Sequence, residues 1–256
     1  MRSVGRLSIL VRPTSPFLYK YSSTEFLDRL HSILFRNELY FPSPRELQDP
    51  DDARPKLVIS SREGAVDIVV NAYIAAHPTA AADALARMCR WVNTRTPDEL
   101  VEEATPLFRS AMERNRVYSM TSRADNSYLW EHYAAAHSGY CLEFVNRQEF
   151  TLARLVVYDD PYELDVSERE NWDPIFLFRK TWAYKDEEEV RILQIRSGQP
   201  AAVSFEPTLL RRVVLGTNMT AEHRETIRGW ARTRVPQLLV DDEAAETVGV
   251  NSGLRL

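Results

Sequence analysis

The sequence predicts an α+β fold, a single domain with a central mixed or antiparallel sheet and a helical insertion. Strand and helix patterns are mixed along the chain without regular alternation, which argues against a doubly wound parallel sheet. Helical patterns are concentrated between about residues 60 and 116, and strand patterns dominate after them. No internal repeat or long linker interrupts the sequence. We therefore expect a basic lead-in over residues 1–16 and a single domain over residues 17–256.

The elements of the first half follow from local signals. Residues 17–21 are aromatic and aliphatic enough for a strand. The hydroxyl residues 22–24 then offer a helix N-cap, and Glu25 places an acid in the first turn. Apolar residues recur at helical spacing after this cap, which predicts a helix over residues 24–36. The other elements predicted for this half are a strand at 39–41 and helices at 63–91 and 97–115.

Capping residues support several further boundaries. Thr96 before Pro97 and Thr220 suit helix N-caps, Asn126 or Ser127 suits another, and Gly139 suits a helix stop. The helices predicted for the second half run from Asn126 or Ser127 to about His137, from 170 to 181 and from 220 to 232. The strands predicted there are 117–121, 140–145, 152–158, 188–195, 201–205 and 211–215, with a hairpin of 140–145 and 152–158.

Composition narrows the class of protein. The chain has 256 residues, 44% of them apolar, so it can bury a sizeable core. Its formal charge of -5 argues against a uniformly basic surface for nucleic acid. Two cysteines, Cys89 and Cys141, are too few for a disulfide framework or a cysteine zinc site, which fits a reducing compartment. No segment approaches membrane-spanning length. We expect a cytoplasmic protein that does not bind a membrane.

The stretch from Lys180 to Arg191 is the best candidate for chemistry. Four consecutive acids enter an apolar run that resembles a strand covered on both faces. Strand alternation places Glu187, Glu189 and Arg191 on one face, and leaves Glu188 with the solvated acids. Carboxylates at such a position are costly unless they are paired or used. The alternative is a solvated turn in which Glu189 merely pairs with Arg191.

A second candidate region begins at Ser119. A predicted strand ends in hydroxyls, Ser119 and Thr121, and a predicted helix then presents Trp130, His132 and Tyr133. Aromatic rings beside hydroxyls and a histidine could form the walls of a nucleotide pocket. The alternative is that the aromatic residues belong to the core and find partners for their polar tips.

Several common catalytic patterns are missing from the sequence. His132 and His137 are five residues apart, so on a helix they diverge by roughly 140° and do not form a zinc pair. We therefore predict no metal ligands. The glycines are scattered singly, and there is neither a phosphate-binding loop nor a Gly-x-Ser-x-Gly motif.

Taken together, the motifs resemble the bacterial DUF2971 family. The residues that carry the resemblance are Leu18-Tyr19-Lys20-Tyr21, Leu39-Tyr40-Phe41-Pro42-Ser43-Pro44 with Asp49-Pro50, Leu129-Trp130-x-His132-Tyr133-Ala134 with His137-x-Gly139-Tyr140-Cys141-Leu142-Glu143-Phe144, Lys180-x-Trp182-x-Tyr184 with Glu187-x-Glu189-x-Arg191, and Val214-Leu215-Gly216. They come in the order of the family and span about residues 17–230. Gln48 and Leu129 depart from its usual Asn and Met. The function of the family is not established, so this resemblance implies no activity.

The order of motifs also resembles that of small ADP-ribosyltransferases. That resemblance implies an ADP-ribosyltransferase-like fold that binds NAD or a related nucleotide, with NAD as a substrate. Glu189, or Glu187 in its place, would stabilise the ribosyl cation, and Ser119 or Thr121 would orient the glutamate. The residues that would contact the nucleotide are Tyr19, Lys20, Tyr21, Trp130, His132 and Tyr133. Lys20 stands where that family usually has Arg or His, and the Ser-Thr-Ser pattern at residues 119–122 is imperfect.

The expected role is a bacterial effector, such as a toxin or a phage-defence protein, with a protein or nucleic acid as acceptor. Two alternatives stay open. One is a metal-dependent nuclease or other phosphodiester hydrolase that uses Asp49, Asp125, Glu187 and Glu189 around a divalent ion. The other is a non-enzymatic ligand sensor or protein-interaction module.

Overall fold

The protein has a mixed fold, with a large mixed sheet and several helices, which confirms the fold class at this level. The computed structural model describes residues 10–47, 49, 51–76, 79, 81–168, 171, 174–194 and 201–243. The chain divides into two compact units, each assembled from separate segments. The first unit comprises Met1–Thr14, Tyr40–Ser119 and Gln148–Val203, and the second comprises Ser15–Leu39, Met120–Arg147 and Ser204–Leu256.

The strands and helices are numbered in chain order. The strands are β1 (Phe17–Ser22), β2 (Glu38–Tyr40), β3 (Lys56–Val58), β4 (Arg116–Thr121), β5 (Tyr140–Val145), β6 (Arg154–Leu155), β7 (Val157–Tyr158), β8 (Glu163–Asp165), β9 (Arg179–Lys180), β10 (Glu189–Gln194), β11 (Ala202–Ser204), β12 (Leu210–Leu215) and β13 (Leu239–Asp242). The α-helices are α1 (Leu27–Phe35), α2 (Arg62–Ala76), α3 (Ala82–Asn93), α4 (Pro97–Met112), α5 (Ser127–His132) and α6 (Ala221–Thr233). Short 3-10 helices lie at Thr24–Phe26, Pro44–Glu46, Gln148–Leu152, Pro174–Phe178, Trp182–Glu187 and Pro207–Leu209.

In the first unit, β10 lies between β4 and β6, and it runs antiparallel to β6. The same unit contains two further strand pairs, β3 with β8 and β7 with β9, and both of these pairs are parallel. The helix α4 buries Leu100, Ala104 and Phe108, which share one face because they are four residues apart. The Phe108 ring packs against Phe176, with the ring centroids 5.2 Å apart. These contacts form the apolar core of the unit.

In the second unit, the strands are ordered β13, β12, β5 and β1, followed by the last two residues of β4. The central strand β5 is antiparallel to both β1 and β12, whereas β13 is parallel to β12. Tyr19 of β1 pairs with Glu143 of β5 and with Thr121 of β4. Since side chains alternate along a strand, this register decides which residues of the unit share a face.

The predicted capping residues are confirmed. Thr96 accepts a hydrogen bond from the Glu99 amide in a capping box, with Pro97 as the first helical residue. Thr220 accepts one from the His223 amide and starts α6. Of the two candidates for α5, Asn126 is the cap, because its side chain accepts from the Leu129 amide.

Several predicted elements were wrong in extent or type. The helix predicted over 63–91 is two helices, α2 and α3, and Pro78 stands between them in the sequence, without an amide hydrogen for a helical ladder. The helix predicted to reach about His137 ends at His132, because three of the following residues have positive φ. The predicted hairpin is absent, since β5 pairs with β1 and β12 while β6 pairs with β10. The helix predicted over 170–181 is a 3-10 helix followed by β9, with residues 170, 172 and 173 outside the described part.

Gly139 tests the packing at the start of β5. A Cβ at this position would lie 2.2 Å from the Ser22 carbonyl oxygen, so Gly139→Ala should force the backbone apart. We expect a loss of about 1–3 kcal/mol in the free energy of unfolding, measured with urea. The control is Gly229→Ala in α6, where the nearest atom would be 3.9 Å away and the variant should gain up to about 1 kcal/mol. Equal effects of the two substitutions would contradict the described packing.

Candidate functional site

Six charged side chains meet in the first unit, and five of them are buried. They come from the loop after the Pro44–Glu46 turn, from β9, and from the entry into β10. This group, called the ion cluster below, consists of Asp49, Asp52, Lys180, Glu187, Glu189 and Arg191. Asp49 is partly exposed, and the other five are at most 5% exposed at their side chains.

Lys180 lies among all four carboxylates. Its Nζ is 2.5 Å from Asp49 Oδ2 and 2.7 Å from Glu187 Oε2. The carboxylates of Asp52 and Glu189 each lie 3.6 Å from the same nitrogen. Burial alone would lower the pKa of Lys180, but the attraction of Glu189, Asp52 and Glu187 outweighs burial and raises it. Lys180 is therefore a permanent cation rather than a proton donor.

The ring of Tyr184 lies over this ammonium group. The distance from Lys180 Nζ to the ring centroid is 4.4 Å, within the range of a cation–π contact. Tyr184 is partly exposed and belongs to the 3-10 helix Trp182–Glu187. This short helix therefore contributes both an aromatic contact and, through Glu187, a carboxylate to the ion cluster.

Arg191 donates hydrogen bonds to both carboxylate oxygens of Glu189. Its Nε donates to Glu189 Oε1 at 2.6 Å, and its Nη2 donates to Oε2 at 2.8 Å. The Ser119 hydroxyl also hydrogen-bonds the Glu189 side chain, and the Glu189 amide donates to the Tyr158 hydroxyl at 2.8 Å. Burial would raise the pKa of Glu189, but Arg191 and Lys180 lower it to about 2. The Glu189 carboxylate is consequently ionised and held in one orientation.

The Arg191 guanidinium also donates hydrogen bonds to two other segments of the chain. Nη2 lies 2.5 Å from Asp52 Oδ2, and Nη1 donates to the Leu177 carbonyl at 2.6 Å. Burial raises the pKa of Asp52, although Arg191 opposes the shift. Asp52 Oδ1 is buried and has no hydrogen-bond partner among the described residues. Burial of Asp52 therefore favours its protonated form.

The ion cluster carries an excess of negative charge. It contains four carboxylates and two cations, so its formal charge is 2 − 4 = −2 with every group ionised. A proton on Asp52 would reduce this to −1. A negative excess in a buried, poorly screened place favours positive charge that develops nearby.

The backbone conformation of Glu188 explains how Glu187 and Glu189 both point into the ion cluster. The strand β10 begins at Glu189, one residue after the predicted start, so Glu187 does not lie on the strand as the predicted alternation implied. Glu188 has a left-handed backbone with φ 46°, and its side chain is exposed. This local reversal brings Glu187 and Glu189 to the same cation, Lys180. Asp186 and Glu188 are exposed, as predicted.

Sequence reasoning gave no role to Lys180 or Asp52. Lys180 stands in a motif of the family resemblance, which was the available signal for it. Asp52 contacts Arg191 across 139 positions of sequence, and no local pattern indicates such a contact. Asp49 had been considered only as a metal ligand, whereas its carboxylate contacts the Lys180 ammonium.

The remaining predicted residues lie in the second unit. Tyr19, Tyr21 and Trp130 belong to one buried apolar cluster, and Tyr133 packs against it partly buried. The rings of Tyr21 and Trp130 meet edge to face, with centroids 5.1 Å apart. The Tyr21 hydroxyl donates to the Ala124 carbonyl at 2.6 Å. The burial of Trp130 and the packing of Tyr133 agree with the alternative in which these aromatic residues belong to the core.

Three other predicted residues do not join this aromatic cluster. Lys20 alternates with Tyr19 and Tyr21, so its side chain leaves the opposite face of β1. His132 is exposed, with its ring 4.2 Å from that of Tyr128. Thr121 is buried and pairs with Tyr19. Of the predicted site residues, only Ser119, Glu187 and Glu189 lie in the first unit.

The four acids of the metal-dependent alternative are divided between the two units. Asp125 lies in the second unit, is exposed and pairs with Arg123 at 3.2 Å. Asp49, Glu187 and Glu189 lie in the first unit. Within the described ranges, no group of three or more His, Cys, Asp or Glu residues is placed to hold a metal ion.

Comparison with protein-family models, curated proteins and solved structures finds no match. In the part of the chain that the structure describes, no helix is both long and apolar enough to cross a membrane. The geometry of the ion cluster therefore provides the functional argument.

The pKa of Glu189 predicts how stability depends on pH. The folded pKa of about 2 lies below the ordinary 4.5, so ionised Glu189 stabilises the fold above pH 4.5 and ceases to do so as the pH falls through about 2. Glu189→Gln should lower the free energy of unfolding by about 3–5 kcal/mol at neutral pH, because Arg191 loses a buried partner. In urea titrations, the difference from the wild type should shrink below pH 4.5. Glu188→Gln is the exposed control, and a difference for Glu189→Gln that stays constant with pH would refute the shift.

Proposed function

We propose that the protein is an ADP-ribosyltransferase-like enzyme that binds NAD or a related nucleotide, with Glu189 as its catalytic carboxylate. The observation that carries this proposal is the environment of Glu189. The carboxylate is buried, kept ionised by Lys180 and Arg191, and bonded by the Ser119 hydroxyl. A hydroxyl on a neighbouring strand was the partner that the resemblance implied for this glutamate.

The chemistry of the reaction needs such a carboxylate. Breaking the bond between nicotinamide and ribose builds positive charge on the sugar, and a fixed anion stabilises that charge electrostatically. Arg191 holds both oxygens of Glu189, so little reorganisation is needed as the charge develops. The negative excess of the ion cluster leaves a net favourable field despite the two cations. Glu187 is the second candidate, since it is buried and bonded to the same Lys180.

The remaining assignments are parts of the same proposal. A protein or nucleic acid would accept the ADP-ribose. A role as a bacterial cytoplasmic effector, in toxicity or phage defence, is supported only by the family resemblance.

One observation favours a second candidate function, a non-enzymatic ligand sensor or interaction module. Glu189 is only 5% exposed, and both of its oxygens are already bonded by Arg191. A buried carboxylate with satisfied oxygens also suits a purely structural ion pair. The enzyme requires in addition that a substrate reaches this carboxylate, whereas the module does not.

The test is NAD consumption. The purified protein is incubated with NAD labelled in the adenylate and with cell lysate, and free nicotinamide and labelled macromolecules are measured. We expect turnover by the wild type and at least a hundredfold loss in Glu189→Gln, because one preorganised charge contributes about that much. Glu188→Gln is the matched control, since it makes the same chemical change at an exposed neighbour.

A second variant tests the role of Glu189 with only a small expected loss of stability. Ser119→Ala removes one hydrogen bond to Glu189, which should cost only about 1 kcal/mol of stability and reduce turnover. Circular dichroism checks that each variant is folded. A wild type that consumes no NAD, or a folded Glu189→Gln that retains full turnover, would overturn the enzymatic proposal.

A further inference from the structure

A second group of charged side chains lies on the sheet of the second unit, around Glu143 of β5. Glu143 is 1% exposed. Arg211 Nη1 donates to Glu143 Oε1 at 2.5 Å, and Arg212 Nη2 donates to Oε2. The Tyr19 hydroxyl also donates to this carboxylate. One buried carboxylate thus holds two neighbouring arginines, and the proposed function gives this group no role.

A β-bulge explains how consecutive residues reach the same carboxylate. In a regular strand, Arg211 and Arg212 would leave opposite faces. Here Leu210 pairs with Phe144 and Arg212 pairs with Glu143, so Arg211 is the extra residue in β12. A bulge of this kind redirects a side chain. Both guanidinium groups therefore converge on Glu143.

Arg211 is held in place but keeps free donors. Its side chain is 45% exposed, and its guanidinium lies 4.8 Å from the centroid of the Phe17 ring. Among the described residues, only the Nη1 of Arg211 makes a hydrogen bond, which leaves Nε and Nη2 available. The Nε of Arg212 is buried and also lacks a partner within the described ranges.

The charges around Glu143 balance formally, but they are paired unevenly. Two guanidinium groups face a single buried carboxylate. The second carboxylate of the group, Asp241, lies 3.0 Å from Arg212 and pairs with it. The remaining donors of Arg211 therefore carry the attraction for an anion.

We infer that Arg211, with Arg212 beside it, binds a phosphate group of an anionic ligand. A planar guanidinium presents paired donors that match two phosphate oxygens. Glu143 and Phe17 hold the Arg211 side chain in advance, so binding costs less side-chain entropy. The residues that form this site all lie in the second unit. Lys20, which the resemblance implied as a nucleotide contact, projects from the face of β1 opposite to that of Tyr19.

The experiment is isothermal titration calorimetry with ADP, NAD, inorganic pyrophosphate and adenosine as probes. Arg211→Gln should weaken the binding of ADP and pyrophosphate about tenfold or more, because charge-assisted hydrogen bonds are lost. Arg211→Lys keeps the charge without the fork and should lose part of the affinity. The matched control is Arg232→Gln, another exposed arginine paired with one carboxylate. This control should bind the phosphate probes as the wild type does.

The outcomes separate this inference from the proposed function. If the wild type binds pyrophosphate but not NAD, and Arg211→Gln loses pyrophosphate, the phosphate site stands and NAD is the wrong ligand. If the wild type binds ADP and folded Arg211→Gln binds it equally well, the inference is overturned while nucleotide binding stands. Absence of binding of both pyrophosphate and ADP to the wild type also overturns the inference. Thermal unfolding by circular dichroism confirms that the variants compared are folded.

Discussion

The first unit is governed by the need to neutralise four carboxylates with two cations, Lys180 and Arg191. Arg191 alone joins Asp52, the Leu177 carbonyl and Glu189, so the loop after residue 47 and the entry into β10 are ordered together. Removing one member would leave its partners charged and buried, which costs far more than the pair contributes to stability. Apolar packing of the same volume would often be as stable. Fixed charge, rather than stability, is therefore the better physical reason for the ion cluster.

In the second unit, the roles of the buried and the held charges are reversed relative to the ion cluster. There a single buried carboxylate, Glu143, holds Arg211 and Arg212, and Arg211 keeps unbonded donors. In both units, a buried group fixes an oppositely charged partner in one orientation at little further entropic cost. The ion cluster suits the stabilisation of developing positive charge, and the arginine pair suits the recognition of an anion. Each of these chemistries can be tested without reference to the other.

The structural features that depend on local chemistry could be predicted from the sequence. Thr96 and Thr220 cap helices because a hydroxyl before a helix satisfies free amides. Glu189 enters an apolar strand near Arg191, and such an acid had to be paired. The partner Asp52 could not be found, because contacts between residues far apart in sequence leave no periodic signal. The left-handed turn at Glu188 was missed because glutamate rarely adopts it.

A double-mutant cycle between Glu189 and Arg191 tests most directly whether the buried charges of the ion cluster depend on each other. The free energies of unfolding of Glu189→Gln, Arg191→Met and the double variant are measured with urea at neutral pH. We predict that each single variant loses about 3–5 kcal/mol, and that the double variant loses less than their sum by about 2–3 kcal/mol. Losses that add to within about 0.5 kcal/mol would contradict this prediction, because the two charges would then not depend on each other.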